Sequence, residues 1–245
     1  MLPAGTPKAV YFPPMQGESR SFEDRKYALS RAALSAAFHA LCRVHIAGRE
    51  NVPPQGPLLL VTNHLSRLDP PLICVAVPRQ VRVFIGQKYR KVLPLRWFVE
   101  SLDAIWVRQN EPDVPALRLA LGHLAHGGLL GVSPEGTRSQ RTHALIPGKD
   151  GPAFLAGRSG APILPVAVWG TEHAFRELGR LRRPDLYLRI GKPFRLPAAG
   201  RARGAQLAVF TEQIMCAIAA LLPEAYRGVY AHHPGVAERE RQMNS

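Results

Sequence analysis

Short apolar runs alternate along the chain with segments of helical periodicity, and this alternation is the feature that most restricts the fold. The runs that predict strands are PLLLVTN (57–63), VRVFIG (81–86), AIWVRQ (104–109), GLLGVSP (128–134), PILPVAVWG (162–170) and LYLRIGKPF (186–194). Helices are predicted at 71–77, 115–126, 152–159 and 206–222. Strands alternating with helices predict an α/β fold, in which a mixed and mostly buried sheet is flanked by helices. The last run is expected to close the sheet.

The segment before the first predicted strand has a different character. Residues 1–20 are rich in proline and polar side chains, which predicts a flexible N-terminus without a cleavable signal peptide. Residues 21–50 are predicted to form an amphipathic helical segment, with the helix running to about residue 44. Its apolar stripe is formed by Tyr27, Leu34, Phe38 and Leu41. This stripe can pack on the core or lie in a membrane interface, and both possibilities stay open.

The remaining chain is predicted to be one domain over 51–225, followed by a polar tail over 226–245. The most apolar stretch of the N-terminal segment, 32–42, would be roughly 16 Å long as a helix, against about 30 Å of bilayer hydrocarbon. It is too short to cross a membrane, although it could lie on one.

The charge of the chain predicts an anionic partner. There are 32 basic and 18 acidic residues, a net charge of +14, which suits nucleic acid, a phosphorylated substrate or an anionic membrane surface. Between residues 70 and 99 there is no acidic residue. The basic residues there are Arg79, Arg82, Lys88, Arg90, Lys91 and Arg96. A second basic run lies between residues 176 and 203; either run could also be an ordinary solvated face.

The three cysteines point to no metal or redox site. Cys42, Cys74 and Cys216 are scattered through apolar surroundings, and the chain has no CxxC spacing. Buried free thiols are therefore expected, and no metal ion is predicted.

The stretch TNHLSRLDPP (62–71) carries the first candidate chemistry. His64 and Asp69 follow the end of a predicted strand, where active sites of open α/β sheets collect. Asp69 is predicted to be the N-cap of the next helix, with Pro70 at its first position. A carboxylate in that turn could still face back to His64, fixing the imidazole tautomer and raising the basicity of its other nitrogen. The alternative is a helix cap beside an unrelated loop histidine.

Two further strand ends carry polar residues. In GVSPEGTRSQ (131–140), Gly136 permits close backbone approach, Thr137 offers a hydroxyl, and Arg138 offers a two-pronged donor suited to phosphate. In WVRQ (106–109), Arg108 lies at the end of a strand. Taken singly, each could belong to a plain turn.

Together, the HxxxxD motif, the apolar-apolar-Arg strand end about forty residues later and PEGTR resemble the glycerolipid acyltransferase family. Its best-known members are the lysophosphatidic acid acyltransferases (1-acylglycerol-3-phosphate O-acyltransferases). The resemblance runs from about Leu58 to Phe194, and it includes PILPVAVWG and IGKPF (190–194). It implies a glycerol-3-phosphate acyltransferase-like fold, with 51–225 as the acyltransferase domain.

The resemblance also implies roles for individual residues. His64 would be the general base that takes the proton of an acceptor hydroxyl, and Asp69 would orient it. Glu135 would brace the phosphate-binding loop or position an arginine. The residues implied at the acceptor phosphate are Arg108, Gly136, Thr137, Arg138 and, as the weakest match, Lys88.

The implied reaction is transfer of a fatty acyl group from a thioester to a lysophospholipid hydroxyl, most simply lysophosphatidic acid to phosphatidic acid. The implied donor is acyl-CoA or acyl carrier protein, and no cofactor is implied. The protein is expected to attach peripherally to the cytoplasmic face of an anionic membrane. No nucleic acid is expected. Because a thioester is already activated, a positioned base and proximity can support direct transfer without an acyl-enzyme.

Some residues depart from the family pattern and leave other readings open. Leu65 stands where many members have serine, and Ser133 stands where an aromatic residue often precedes PEG. A different lysolipid or a glycolipid therefore remains a possible acceptor. A serine hydrolase is disfavoured because Glu135 occupies the position where a nucleophile elbow requires glycine. A nucleic-acid-binding module is disfavoured because interleaved aromatics and zinc-ligand spacings are absent from the sequence.

Overall fold

A seven-stranded sheet forms the centre of the protein, in a computed structural model that describes residues 17–91, 99–100, 103–108, 113–139, 141–197 and 204–244. The strands are β1 (Arg43–Ala47), β2 (Leu58–Thr62), β3 (Val81–Gly86), β4 (Ile105–Val107), β5 (Leu129–Val132), β6 (Ile163–Trp169) and β7 (Asp185–Ile190). Their spatial order is β1-β7-β6-β2-β5-β3-β4.

The direction of the strands decides where functional loops can meet. The five strands from β6 to β4 in this order are mutually parallel, whereas β7 is antiparallel to β6 and β1 is parallel to β7. The sheet is thus mixed, as predicted. The carboxyl ends of β2, β3, β4, β5 and β6 consequently lie along one edge of the sheet, and the loops that follow them are neighbours.

Helices cover both faces of the sheet. The helices described are α1 (Gly17–Leu41), α2 (Asp69–Ala76), α3 (Val114–Ala125), α4 (Gly151–Ser159), α5 (Ala174–Gly179), α6 (Ala205–Ala219) and α7 (Pro234–Asn244). In β2, Leu58 and Leu60 join the core cluster under α1 and α2, while Leu59 and Val61 join the cluster under α3, α4, α6 and α7. This alternation buries β2 on both faces, which explains its uninterrupted apolar sequence.

Six predicted strands are present, but the end of the sheet differs from the prediction. Residues 43–47 form β1, although they were expected within the helical segment 21–50. Val44 and Ile46 pack towards the core while Arg43, His45 and Ala47 face outward. This two-residue alternation is typical of a strand, and it begins directly after the helical stripe. β1 pairs with the outer side of β7, so the last predicted strand does not close the sheet.

The apolar stripe of α1 is used mainly for packing. Tyr27 and Phe38 are each 6% exposed in the core cluster shared with α2, whereas Leu41 is 53% exposed. The Tyr27 hydroxyl also accepts the Val81 N–H at 3.3 Å, which ties α1 to β3. Among the described helices, none combines the length and apolarity that a membrane crossing needs.

The C-terminal segment is part of the core. Residues 226–245 were predicted as a polar tail, yet Tyr230 is 3% and Val236 is 2% exposed. Tyr226 and Met243 pack against the same cluster, and α7 contacts α6. A composition-based prediction overlooks a few apolar residues within a charged segment. The three cysteines are buried free thiols, as expected.

Candidate active site

The residue after β2, Asn63, is held in place by two hydrogen bonds. The buried side-chain amide of Asn63 donates to the Val168 carbonyl at 2.7 Å and accepts the Val168 N–H at 2.9 Å. These bonds continue the pairing of β2 with β6 by one residue beyond the strand. The next residue, His64, therefore starts from a fixed position at the carboxyl edge of the sheet.

His64 and Asp69 are in direct contact. The imidazole Nδ1 lies 2.8 Å from Asp69 Oδ2, with the histidine side chain 26% exposed and the aspartate side chain 1% exposed. A carboxylate oxygen can only accept, so in the neutral ring Nδ1 carries the proton and Nε2 keeps a lone pair. The structure therefore brings together the pair that the sequence analysis singled out, in the arrangement a general base requires.

Asp69 holds the loop as well as the imidazole. Its Oδ2 also accepts the N–H groups of Leu65 and Ser66 at 2.7 Å each, and its Oδ1 accepts the Thr171 hydroxyl at 2.5 Å. The prediction that Asp69 is an N-cap is wrong, because α2 begins at Asp69 and Leu68 is its N-cap. Since Pro70 and Pro71 have no N–H, the first turn offers the carboxylate little to cap, and it turns back to the loop.

Glu135 braces the loop and does not face solvent. It is 1% exposed; its Oε1 accepts the His64 N–H at 2.9 Å and its Oε2 accepts the Ile146 N–H at 3.3 Å. Burial raises the pKa of this carboxyl to about 7, against the lowering effect of the two N–H bonds. Ser139 N–H also donates to the His64 carbonyl at 2.9 Å. The PEGTRS loop (134–139) thus forms hydrogen bonds with both the N–H and the carbonyl of His64.

The exposed part of this loop contains Gly136 and Thr137, with Arg138 partly exposed behind them. Gly136 has φ +65°, and a Cβ at this position would lie 3.1 Å from Lys149 Nζ. Glycine therefore allows both the left-handed turn and the close approach of an ammonium group. Sequence reasoning missed Lys149. The glycine at position 136 was noted as permitting a close approach, but it does not indicate which residue approaches.

Arg108 lies further away along the same edge. It follows β4, its side chain is 54% exposed, and its Nε is 3.8 Å from Asp113 Oδ2. Neighbouring strands are about 4.8 Å apart, so β4, the third strand from β2, is about 14 Å from it. The backbone of Lys88 follows β3, and its side chain lies outside the described part of the structure.

The Ser133 hydroxyl lacks the partner that an activated serine has. Its Oγ is buried and has no hydrogen-bond partner among the residues that the structure describes. An activated serine is hydrogen-bonded to an adjacent base, so this geometry disfavours the serine hydrolase alternative.

One group of side chains has the composition of a metal site. Ligand atoms of Glu212, Cys216 and His233 lie within 4.8 Å of one another where α6 meets α7. However, His233 Nδ1 accepts the Gly235 N–H at 3.1 Å, and burial raises the pKa of the Cys216 thiol to about 11. The imidazole lone pair therefore already caps α7, and we interpret the group as a helix–helix contact.

Comparison with known proteins agrees with this geometry. The family model described as Acyltransferase matches residues 43–169, which is more than half of the chain and includes both the His64 and the Glu135 loops. The chain belongs to the acyltransferase family.

The relatives of this acyltransferase point to one class of enzyme. It is 28% identical over 141 residues to a chloroplastic 1-acyl-sn-glycerol-3-phosphate acyltransferase of Brassica napus, a match that covers 56% of this chain and 40% of that one. It is 23% identical over 151 residues to the 1-acyl-sn-glycerol-3-phosphate acyltransferase of Bacillus subtilis, covering 61% and 73%. The chain thus spans less than half the length of the Brassica relative.

The fold has a solved counterpart. The crystal structure of the 1-acyl-sn-glycerophosphate (LPA) acyltransferase PlsC from Thermotoga maritima superposes with a TM-score of 0.65 and 27% identity, covering 82% of this chain and 80% of that one. The predicted acyltransferase fold is confirmed.

Proposed function

We propose that this acyltransferase transfers a fatty acyl group from a thioester to the free hydroxyl of a lysophospholipid, with lysophosphatidic acid as the acceptor and phosphatidic acid as the product. The observation that carries the proposal is the buried Asp69 carboxylate that orients His64, at a strand end gripped by the PEGTRS loop. The names of the relatives support the choice of acceptor.

In the proposed reaction, His64 Nε2 removes the proton of the acceptor hydroxyl while that oxygen attacks the thioester carbonyl carbon. Collapse of the tetrahedral intermediate breaks the C–S bond, and the thiolate takes the proton from the imidazolium. Asp69 stabilises the positive charge on the ring between these steps. The histidine ends each cycle neutral, and no group on the chain is acylated.

The acceptor phosphate is proposed to bind on the exposed side of the PEGTRS loop. Arg138 and Lys149 supply positive charge there and Thr137 supplies a hydroxyl, while Gly136, whose N–H donates to the Ser133 carbonyl, allows close backbone approach. Arg108 and Lys88 are proposed to contribute from the neighbouring strand ends. Glu135 contributes only through the backbone it holds. Binding energy at the phosphate would position the hydroxyl beside His64.

The protein is further proposed to act at the cytoplasmic face of an anionic membrane, attached peripherally. Support comes from the outward face of α1, where apolar side chains stay exposed although Tyr27 and Phe38 are packed in the core. The exposed apolar residues are Ala28, Leu29, Ala32, Ala33, Ala36, Ala37, Ala40 and Leu41, and exposed His39 lies among them. Two basic residues on or next to this helix make intramolecular contacts, since Arg31 donates to the Cys74 carbonyl and Arg43 pairs with Asp185.

A paired assay tests the function. Product is measured by mass spectrometry with acyl-CoA or acyl carrier protein thioesters as donors, and with 1-acylglycerol 3-phosphate or the same lipid without phosphate as acceptors. We expect acylation that depends on the phosphate. Equal rates with both acceptors would overturn the choice of lysophosphatidic acid, and no transfer to any lysolipid would overturn the proposed function.

A further inference from the structure

We propose that Thr171 is a positioning residue that extends the His64–Asp69 pair into a hydroxyl–carboxylate–imidazole chain. This inference rests on the proposed function, in which His64 is the base. Thr171 is 0% exposed, and its Oγ1 donates to Asp69 Oδ1 at 2.5 Å from a position 102 residues further along the chain. Neither the His64 motif nor the PEGTR motif includes it.

The fold delivers this hydroxyl through a glycine turn. β6 ends at Trp169, and Gly170 follows with φ +85° and with the Asp185 carbonyl oxygen only 2.3 Å from where a Cβ would be. A side chain is therefore excluded at Gly170, and the chain turns sharply into the short 3-10 helix Thr171–His173. Because β6 is the direct neighbour of β2, this turn brings Thr171 against the loop that starts at His64.

The hydroxyl completes an uneven set of bonds around the carboxylate. Oδ2 faces three N–H groups, those of His64 Nδ1, Leu65 and Ser66. Among the described residues, Oδ1 has the Thr171 hydroxyl as its hydrogen-bond donor. Donors on both oxygens fix the rotation of the carboxylate plane, and with it the lone pair aimed at Nδ1. Loss of the hydroxyl leaves Oδ1 buried and unpaired, so the carboxylate reorients and the imidazole loses its alignment.

The chain offers a control in a second threonine–aspartate bond. Thr211 on α6 is 4% exposed, and its Oγ1 donates to Oδ1 of the exposed Asp150 at 2.7 Å. A Thr→Val substitution at either position replaces a buried hydroxyl by a methyl group and removes a hydrogen bond to a carboxylate. An effect on the chemical step should appear only at Thr171.

Steady-state kinetics of acyl transfer supply the first test. Thr171→Val should lower kcat about 10- to 100-fold, the range for loss of a hydrogen bond to a charged group, with the acceptor KM nearly unchanged. Thr171→Ser keeps the hydroxyl and should restore most of kcat, and Thr211→Val should match the wild type. Wild-type kcat in folded Thr171→Val would overturn the proposal. If the valine variant does not fold, Thr171→Cys replaces it, and a kcat equal to that of Thr171→Ser is then the contradicting result.

A double mutant separates positioning from general support. In an Asp69→Ala background, Thr171→Val should cause no further loss of kcat, because the hydroxyl acts through the missing carboxylate. Losses that multiply in the double mutant would show that Thr171 acts independently of Asp69.

A spectroscopic readout keeps this inference separate from the proposed function. The ¹⁵N chemical shifts of the His64 ring report which nitrogen carries the proton, and a His64→Gln spectrum assigns them. We expect Thr171→Val to change them, and Thr171→Ser and Thr211→Val to preserve them. Unchanged shifts in Thr171→Val would count against the positioning role. Altered shifts in a protein that acylates no lysolipid would uphold that role and overturn only the proposed function.

Discussion

The main-chain N–H of His64 donates to Glu135 Oε1 at 2.9 Å, although 71 residues separate the two along the chain. The second oxygen of the same carboxylate accepts the Ile146 N–H at 3.3 Å. A buried carboxylate therefore joins the two strand-end motifs that the sequence presents separately. The loop that begins at His64 and the PEGTRS loop are therefore linked, and changes at Glu135 should alter the position of the imidazole.

The first prediction concerns the pH dependence of stability. Burial raises the pKa of Glu135 to about 7 from an ordinary value of 4.5, so the folded protein holds this proton at higher pH than the unfolded chain does. The stability from this group is fully present below pH 4.5 and is lost as the pH rises through about 7. The loss between pH 5 and 8 should be about 2–3 kcal/mol.

Glu135→Gln does not titrate and should lack this loss. Urea denaturation near pH 5 and near pH 8 measures the free energy of unfolding of the wild type and of Glu135→Gln. Between these pH values the wild type should lose more stability than the variant. The variant starts from a lower value, because a glutamine side chain has one acceptor oxygen for two backbone N–H groups. Parallel stability curves for the two proteins would contradict the raised pKa.

The second prediction concerns the catalytic pair. His64→Ala should fold normally and lower kcat about 10²- to 10⁴-fold, the usual contribution of a general base. Asp69→Asn should lower kcat less, because an amide still fills the space but no longer enforces the tautomer. His126→Ala at the C-cap of α3, where the ring Nδ1 donates to the Gly122 carbonyl at 2.8 Å, is the control. Turnover close to the wild type in folded His64→Ala would end this mechanism.

The contact between His64 and Asp69 could be predicted because the information is local. His64 and Asp69 lie in one loop behind an apolar strand, and a carboxylate that close along the chain can reach the ring. Because a carboxylate repels phosphate, Glu135 was predicted to brace the loop or to position an arginine, and in the structure it accepts the N–H groups of His64 and Ile146. Such inferences need only strand ends and elementary electrostatics.

The rest of the site depends on tertiary contacts that have no local signature. Thr171 reaches Asp69 only because β6 lies beside β2, and strand order does not follow from sequence spacing. Lys149 reaches Gly136 only after the chain folds back along the loop. β1 was missed because its alternating pattern is short and follows a helical stripe without a glycine or proline between them.

The third prediction concerns the phosphate site. Arg138→Ala and Lys149→Ala should each raise the KM for lysophosphatidic acid, and loss of a charge-assisted pair worth about 2–3 kcal/mol corresponds to roughly 30- to 150-fold. The KM for the same lipid without phosphate should stay constant. Lys192→Ala is the matched control, because Lys192 follows the antiparallel strand β7 at the opposite edge of the sheet. Unchanged KM in both variants would show that this loop has a structural role only.

The last prediction concerns the membrane. The outward face of α1 presents Leu29 with 71% and Leu41 with 53% of their surface exposed, among alanines, while Arg25 and Lys26 are exposed on the preceding turn. Insertion of such a face adds apolar burial to the attraction of basic residues, each worth about 1 kcal/mol near an anionic surface. We therefore expect co-sedimentation with vesicles that contain anionic phospholipid, weakening as salt is raised.

Substitutions on helices that cover opposite faces of the sheet identify the surface that contacts the membrane. Leu29→Asp places a negative charge in the apolar face and should lower vesicle binding about tenfold or more, since it removes a buried leucine and adds repulsion. Val209→Asp is the control, because Val209 is 55% exposed on α6, which covers the other face of the sheet. Equal loss in both variants would rule out α1 as the membrane contact. Equal binding of the wild type to neutral vesicles would rule out the attraction to an anionic bilayer.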